Sequence, residues 1–231
     1  MSPIRRSFSS KDDLAAALAD AVVLDLAAGL AARGAAALAV SGGSTPARFF
    51  KALGQRTDLE WSRVTVTLVD ERWVDETSDR SNARLVKANL LQGPAAAARF
   101  VPLYQGGAAP DATAVGRANA AIAAIGPLDA AILGMGSDGH TASFFPGGDT
   151  LAEALTGEGP VLAIRAPGAG EPRVTLTLRN LVAAKALYLH IEGEDKARVL
   201  EQALAPGSEQ DMPVRAVLRQ TTRPLTIFWC P

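Results

Sequence analysis

The sequence predicts an α/β fold with a mainly parallel open sheet flanked by helices, and three observations carry that prediction. Strand-length apolar runs alternate with amphipathic, helix-length segments along the whole chain. Polar, glycine-rich clusters directly follow several of those runs, which is where open α/β sheets bind ligands. The 231 residues are 48% hydrophobic, enough for a substantial core, and with no internal repeat or flexible linker between them residues 1–231 read as one domain.

The elements follow in order. Ser10 stands before Lys11, Asp12 and Asp13, a hydroxyl N-cap followed by acids in the first turn, and opens an amphipathic helix to about residue 32. Apolar runs at 35–40, 64–69, 100–103, 130–133, 161–164, 174–178, 186–191 and 225–229 have strand length. Helical stretches lie between them at 47–53, 81–91, 111–125, 195–205 and 214–219. The Gly- and Pro-rich patches at 105–110 and 166–172 read as loops. Alanine runs at 15–17, 35–37 and 95–98 supply a good helix former and carry no functional information.

Composition narrows the chemistry. Lys plus Arg total 23 against 24 for Asp plus Glu, a net charge of −1 that argues against a nucleic-acid partner held by overall charge and leaves room for a local basic pocket. The apolar stretch between Leu14 and Leu38 is broken by Asp20, Asp25 and Arg33, so no membrane partner is expected. Asp12 and Asp13 stand where a signal peptide needs apolar residues, and the expected location is the cytoplasm. One cysteine, Cys230, and two histidines, His140 and His190, make neither a disulfide framework nor a zinc site of usual composition. No Gly-x-Ser-x-Gly elbow and no His-Glu-x-x-His motif is present, so acid–base chemistry without a metal or other cofactor is what remains.

Four clusters sit at strand ends. Ser41-Gly42-Gly43-Ser44-Thr45-Pro46 reads either as an anion cradle at a helix N-terminus or as a plain turn capped by Thr45. Asp70-Glu71-Arg72 reads as polar site residues or as a surface ion pair. Gly134-x-Gly136-x-x-Gly139 matches a dinucleotide fingerprint in form, yet it comes late in the chain and leads into a segment that Pro146, Gly147 and Gly148 soon stop. It fits better as a loop presenting His140. The fourth cluster, Glu192 to Lys196, follows a strand in which His190 reads as structural. His140 is the natural proton-transfer group, with Asp138 or Asp70 to orient it, while Arg173 and Lys196 are donors suited to a phosphate.

These residues resemble the 6-phosphogluconolactonases, which are related in fold to glucosamine-6-phosphate deaminases and ribose-5-phosphate isomerases. The resemblance covers most of the chain and rests on residues 41–46, 69–74 with Ser81-Asn82, 134–147, 173–177 and 193–197. After Gly-Asp-Gly-His the chain continues Thr-Ala-Ser-Phe-Phe-Pro, as lactonases do, rather than Ile-Ala-Phe-Asn-Glu-Pro, as deaminases typically do. Asp75 and Ser137 depart from positions where proline is common.

The resemblance implies a sugar-phosphate isomerase-like three-layer architecture and hydrolysis of 6-phospho-D-glucono-1,5-lactone. It implies His140, Asp70, Arg72 and Asp138 as the catalytic set, and Gly42, Gly43, Ser44, Thr45, Arg72, Arg173 and Lys196 as substrate-binding residues. A small sugar-phosphate lactone is then the expected partner of a monomer or weak homo-oligomer. A glucosamine-6-phosphate deaminase, with Asp70 as base, and a non-catalytic sugar-phosphate sensor are the alternatives.

Overall fold

Every strand pairing in the larger of two sheets is parallel, as expected when helices cross between successive strands. The computed structural model describes residues 3–231. Its strands are β1 (Ile4–Ser7), β2 (Ala36–Val40), β3 (Val64–Leu68), β4 (Asp70–Arg72), β5 (Arg99–Val101), β6 (Ala130–Leu133), β7 (Val161–Ile164), β8 (Arg173–Leu176), β9 (Ala186–Glu192) and β10 (Leu225–Cys230). Its helices are α1 (Lys11–Arg33), α2 (Ala47–Gly54), α3 (Asn82–Asn89), α4 (Ala112–Ala123), α5 (Leu151–Thr156), α6 (Leu178–Val182), α7 (Glu194–Leu204) and α8 (Val214–Arg219), with short 3-10 turns at Trp61–Arg63 and Gly93–Ala97.

The main sheet has seven strands in the order β1-β10-β9-β6-β2-β3-β5. From β2 the chain winds outward through β3 to β5, then returns to the other side of β2 to lay down β6, β9 and β10. The winding therefore reverses between β2 and β6, and the loops leaving those two strands flank the crevice where open α/β sheets bind ligands.

Helix α1 begins where the sequence places it. The Ser10 side chain accepts from the Asp13 N–H at 3.1 Å, and Gly34 ends the helix in a left-handed conformation (φ 72°), its N–H bonded to the Leu30 carbonyl at 2.8 Å. By length and composition α1 could cross a membrane. Its apolar face is instead consumed by the core: Leu14, Leu18, Val22 and Leu26 are fully buried, and Asp25 accepts from the Tyr188 hydroxyl at 2.6 Å.

The second sheet departs from the sequence reading, which treats every apolar run as part of one sheet. β4, β8 and β7 form an antiparallel three-stranded sheet of their own. The chain changes sheets at Val69, whose N–H bonds the Val40 carbonyl on the main sheet while its carbonyl accepts from Leu176 at the end of β8, both at 2.9 Å. Asp70-Glu71-Arg72, read from sequence as a cluster beyond a strand, is thus itself a strand. β1, α5 and α6 are further elements that apolar patterning passes over. β1 is a wholly exposed edge strand, and α5 and α6 are too short for a helical period to register.

Candidate active site

The reversal point holds a cleft of about 310 Å³ whose walls include Ser41–Pro46, Asp70, Arg72, Asn82, Gly134–Gly136, His140, Phe145, Arg173, His190, Glu192 and Lys196. The main sheet supplies its floor and one wall through the loops after β2, β6 and β9. The small sheet supplies the facing wall with Asp70 and Arg72 from β4 and Arg173 from β8.

The loop after β6 is shaped around one side chain. His140 Nδ1 lies 2.6 Å from Asp138 Oδ1, and the same carboxylate accepts from the His140 backbone N–H at 3.1 Å. A carboxylate only accepts, so the Nδ1 proton belongs to this bond and Nε2 is left as the basic nitrogen. The imidazole also stacks on Phe145 at 4.2 Å between centroids. Gly136 is what lets the pair fit: a Cβ there would come within 2.1 Å of His140 Nδ1 and 2.5 Å of Asp138 Oδ1. Gly139 turns the loop at φ 78°, and Ala142, just beyond the histidine, holds a left-handed φ of 48° that is uncommon for alanine. The glycine spacing that mimics a dinucleotide fingerprint is therefore a histidine mount. The hydrogen bond to His140 holds the Asp138 carboxyl down at about 2.

Of the two aspartates that sequence reading offers as partner for His140, the structure pairs Asp138. Asp70 is buried and takes the Ser143 hydroxyl at 2.5 Å, with Arg173 Nη1 at 3.8 Å. Asp138 is also the one candidate residue that does not line the cleft; it acts from behind the imidazole.

The loop after β2 keeps its backbone open to the cleft. Gly42 has no room for a side chain, because a Cβ would overlap the Asn82 amide at 1.8 Å, and Gly43 sits at φ 92°. Pro46 itself, rather than Thr45, occupies the N-cap of α2, and no side chain caps that helix. The hydroxyls of Ser44 and Thr45 are thus not consumed by capping, which favours the anion-cradle reading over the plain turn.

The opposite wall is cationic by construction. Register places Arg72 directly across from Arg173 in the antiparallel ladder, a like-charge pairing that is unfavourable by itself, with the Asp70 carboxylate 3.8 Å from Arg173 Nη1 as its nearest counter-charge. Arg173 is 7% exposed; its Nε and Nη2 bond the Ala169 carbonyl at 3.3 and 2.8 Å, and burial pulls its pKa down. Arg72 gives one guanidinium N–H to the Arg80 carbonyl, while its Nε is buried with no partner among the described residues. Lys196, in the first turn of α7, is half-buried, and desolvation lowers its pKa despite the nearby Asp138 and Asp195.

Glu71 is not the surface ion pair that sequence reading allows. It is fully buried and accepts from the backbone N–H of Arg72, Asn82 and Ala83, each at 2.8 Å, and from the Ser81 hydroxyl at 3.1 Å. It thereby joins β4 to the start of α3, and burial pushes its pKa up in spite of those donors. Sequence reasoning names Asn82 only as part of a motif and gives it no role, whereas its amide donates to the Asp70 carbonyl at 3.0 Å; it reads His190 as structural without seeing that the ring borders the cleft. The alternation of β9, with Glu192 two residues after His190 on the same face, was the available signal. Of the two loops that composition singles out, only 166–172 reaches the cleft, through Gly168.

A cleft at a parallel-sheet reversal, with a glycine-rich loop on one side and arginines on another, is the kind of site that takes a small anionic ligand such as a sugar phosphate. A family model described as glucosamine-6-phosphate isomerases/6-phosphogluconolactonase matches residues 9–229, and the chain belongs to that family. Within it the chain groups with the 6-phosphogluconolactonases, lactone hydrolases of the pentose phosphate pathway. The 6-phosphogluconolactonase of Rhizobium meliloti (strain 1021) is 55% identical over 234 residues, covering 100% of both chains. That of Pseudomonas aeruginosa is 44% identical, covering 97% of this chain and 93% of its own. The crystal structure of a 6-phosphogluconolactonase from Shewanella baltica OS155 superposes with a TM-score of 0.96 at 37% identity, over 99% of this chain and 98% of that one. A monomeric glucosamine-6-phosphate deaminase, 18% identical with a TM-score of 0.77 over 98% of this chain and 97% of its own, shares the fold.

Proposed function

We propose that this chain hydrolyses 6-phospho-D-glucono-1,5-lactone to 6-phospho-D-gluconate in the cytoplasm, with His140 as the general base that activates water. The observation that carries the mechanism is the His140–Asp138 bond of 2.6 Å, which fixes the imidazole tautomer and leaves Nε2 as the base. Nε2 takes a proton from water as the oxygen attacks the lactone carbonyl. When the C1–ring-oxygen bond breaks, the imidazolium returns that proton to the departing oxygen. A lactone is an activated ester, so a positioned base worth about 10²- to 10⁴-fold, together with orientation and oxyanion stabilisation, is a sufficient catalyst.

Arg72, with its buried and unpartnered Nε, is suited to the developing oxyanion or to anchoring substrate. Asp70 neutralises part of the arginine wall and fixes the polar network through Ser143. Gly42, Gly43, Ser44, Thr45, Arg173 and Lys196 surround the volume a phosphate needs. The residues after His140 speak against a deaminase, which typically continues Ile-Ala-Phe-Asn-Glu-Pro where this chain has Thr-Ala-Ser-Phe-Phe-Pro.

The test is the disappearance of freshly made lactone, measured against its spontaneous rate with wild type and with His140→Ala. Equal enzymatic rates for the two proteins would remove His140 from the mechanism. Ammonia release from glucosamine 6-phosphate would favour the deaminase, and sugar-phosphate binding in calorimetry without turnover would favour the sensor.

A further inference from the structure

The end of β9 places a carboxylate in a cleft otherwise built for anions. Glu192 borders the cleft and retains only 10% of its side-chain exposure. Oε1 lies 3.2 Å from Nε2 of His190, and Oε2 lies 3.2 Å from Nζ of Lys11 at the start of α1. His190 is 3% exposed and fixed in turn by an edge contact with Phe49 of α2. These neighbours hold the Glu192 carboxyl below its ordinary range even though burial opposes them. The result is an ionised, immobilised carboxylate on the wall of the cleft.

A substrate that is a phosphorylated sugar lactone offers this group a narrow choice. The phosphate and the lactone carbonyl are electron-rich, and a carboxylate facing either would repel it. The ring hydroxyls are donors, and a carboxylate with two acceptor oxygens keeps lone pairs free after accepting one hydrogen bond from His190 and one from Lys11. Pre-alignment by two partners removes the ordering that such a contact would otherwise require.

We infer that Glu192, held by His190 and Lys11, is a substrate-binding residue that accepts a hydrogen bond from a secondary ring hydroxyl of the sugar lactone and so selects hydroxylated rings. His190 is a positioning residue in this scheme. The inference rests on the lactonase reading above, with phosphate and carbonyl bound elsewhere in the cleft.

The experiment compares wild type, Glu192→Gln and Glu192→Leu on the 2-, 3- and 4-deoxy analogues of the phosphorylated lactone and on the parent compound. Wild type should lose about 10- to 100-fold in kcat/KM on one of the deoxy analogues, as expected when a buried acceptor loses its donor. Glu192→Leu should turn over the parent and that analogue at nearly equal kcat/KM, and Glu192→Gln, which keeps an acceptor oxygen, should fall between. A loss shared equally by all substrates in both variants would mark Glu192 as structural and overturn the inference. Should the leucine variant not fold, the glutamine variant decides: discrimination as strong as wild type's rejects the proposal. Absence of turnover of the parent lactone by wild type would instead reject the lactonase reading.

Discussion

The main sheet contributes to the cleft through loops beyond its strands, whereas the small sheet contributes side chains from within its own. Beyond β2 and β6, glycines are what matter, because backbone approaches substrate space and a side chain must clear another: Gly42 clears Asn82, and Gly136 clears the His140–Asp138 pair. In β4 and β8 the ladder itself sets Arg72 across from Arg173, and Glu71 locks β4 to α3 from beneath. Loops can be reshaped around one imidazole, while a ladder holds a fixed charge array. Under the proposed function, proton transfer falls to the first region, and the second adds a fixed pair of cations to the anion cradle that the first already holds.

That division can be broken by substitution. The largest effect is expected for His140→Ala, a fall of about 10²- to 10⁴-fold in kcat with KM little changed. Asp138→Asn should fall comparably, because an amide can donate to Nδ1 and move the imidazole proton to Nε2; added to His140→Ala it should cost nothing further in steady-state assays. Gly136→Ala should lower kcat by about 10²-fold, since its Cβ displaces the imidazole by an ångström or so, while circular dichroism shows an intact fold.

On the other wall the signature should move from kcat to KM. Arg173→Met should raise KM for the phosphorylated lactone by about 10- to 100-fold and erase the preference over the unphosphorylated one, read from parallel progress curves. A pure kcat defect would dissolve the division of labour. Glu71→Ala leaves three buried N–H groups unpaired and should destabilise the fold by about 2–4 kcal/mol in urea titration.

The smallest effect concerns acid. Asp138 has a folded value of about 2, below its ordinary 3.8, so its pairing is fully present above the higher value and is lost as pH falls through the lower. Between about pH 4 and pH 2, the Tm of wild type should fall by about a degree or two more than that of Asp138→Asn, a modest difference because the pair is partly exposed.

Much of this arrangement is legible in the residues. Ser10 and Gly34 bracket α1 by local capping chemistry, and the runs that become β2, β3, β6, β9 and β10 are apolar enough to declare themselves. The glycine-rich segments after β2 and β6 mark the site because only glycine admits the conformations and close approaches found there. Asp70-Glu71-Arg72 was visible as polar but not as a strand, since a short run of charged residues has no hydrophobic period, and its partner β8 lies a hundred residues away.

The sequence by itself determined the α/β class and nominated the candidate residues, His140 among them, because these depend on local pattern and on an inventory of reactive groups. Only the tertiary structure decided that Asp138, not Asp70, backs the imidazole, that β4, β7 and β8 leave the main sheet, and that His190 borders the cleft. Each of those is a contact between segments distant in the chain or a choice between two chemically equivalent partners. Packing distances make such choices, and composition does not record them.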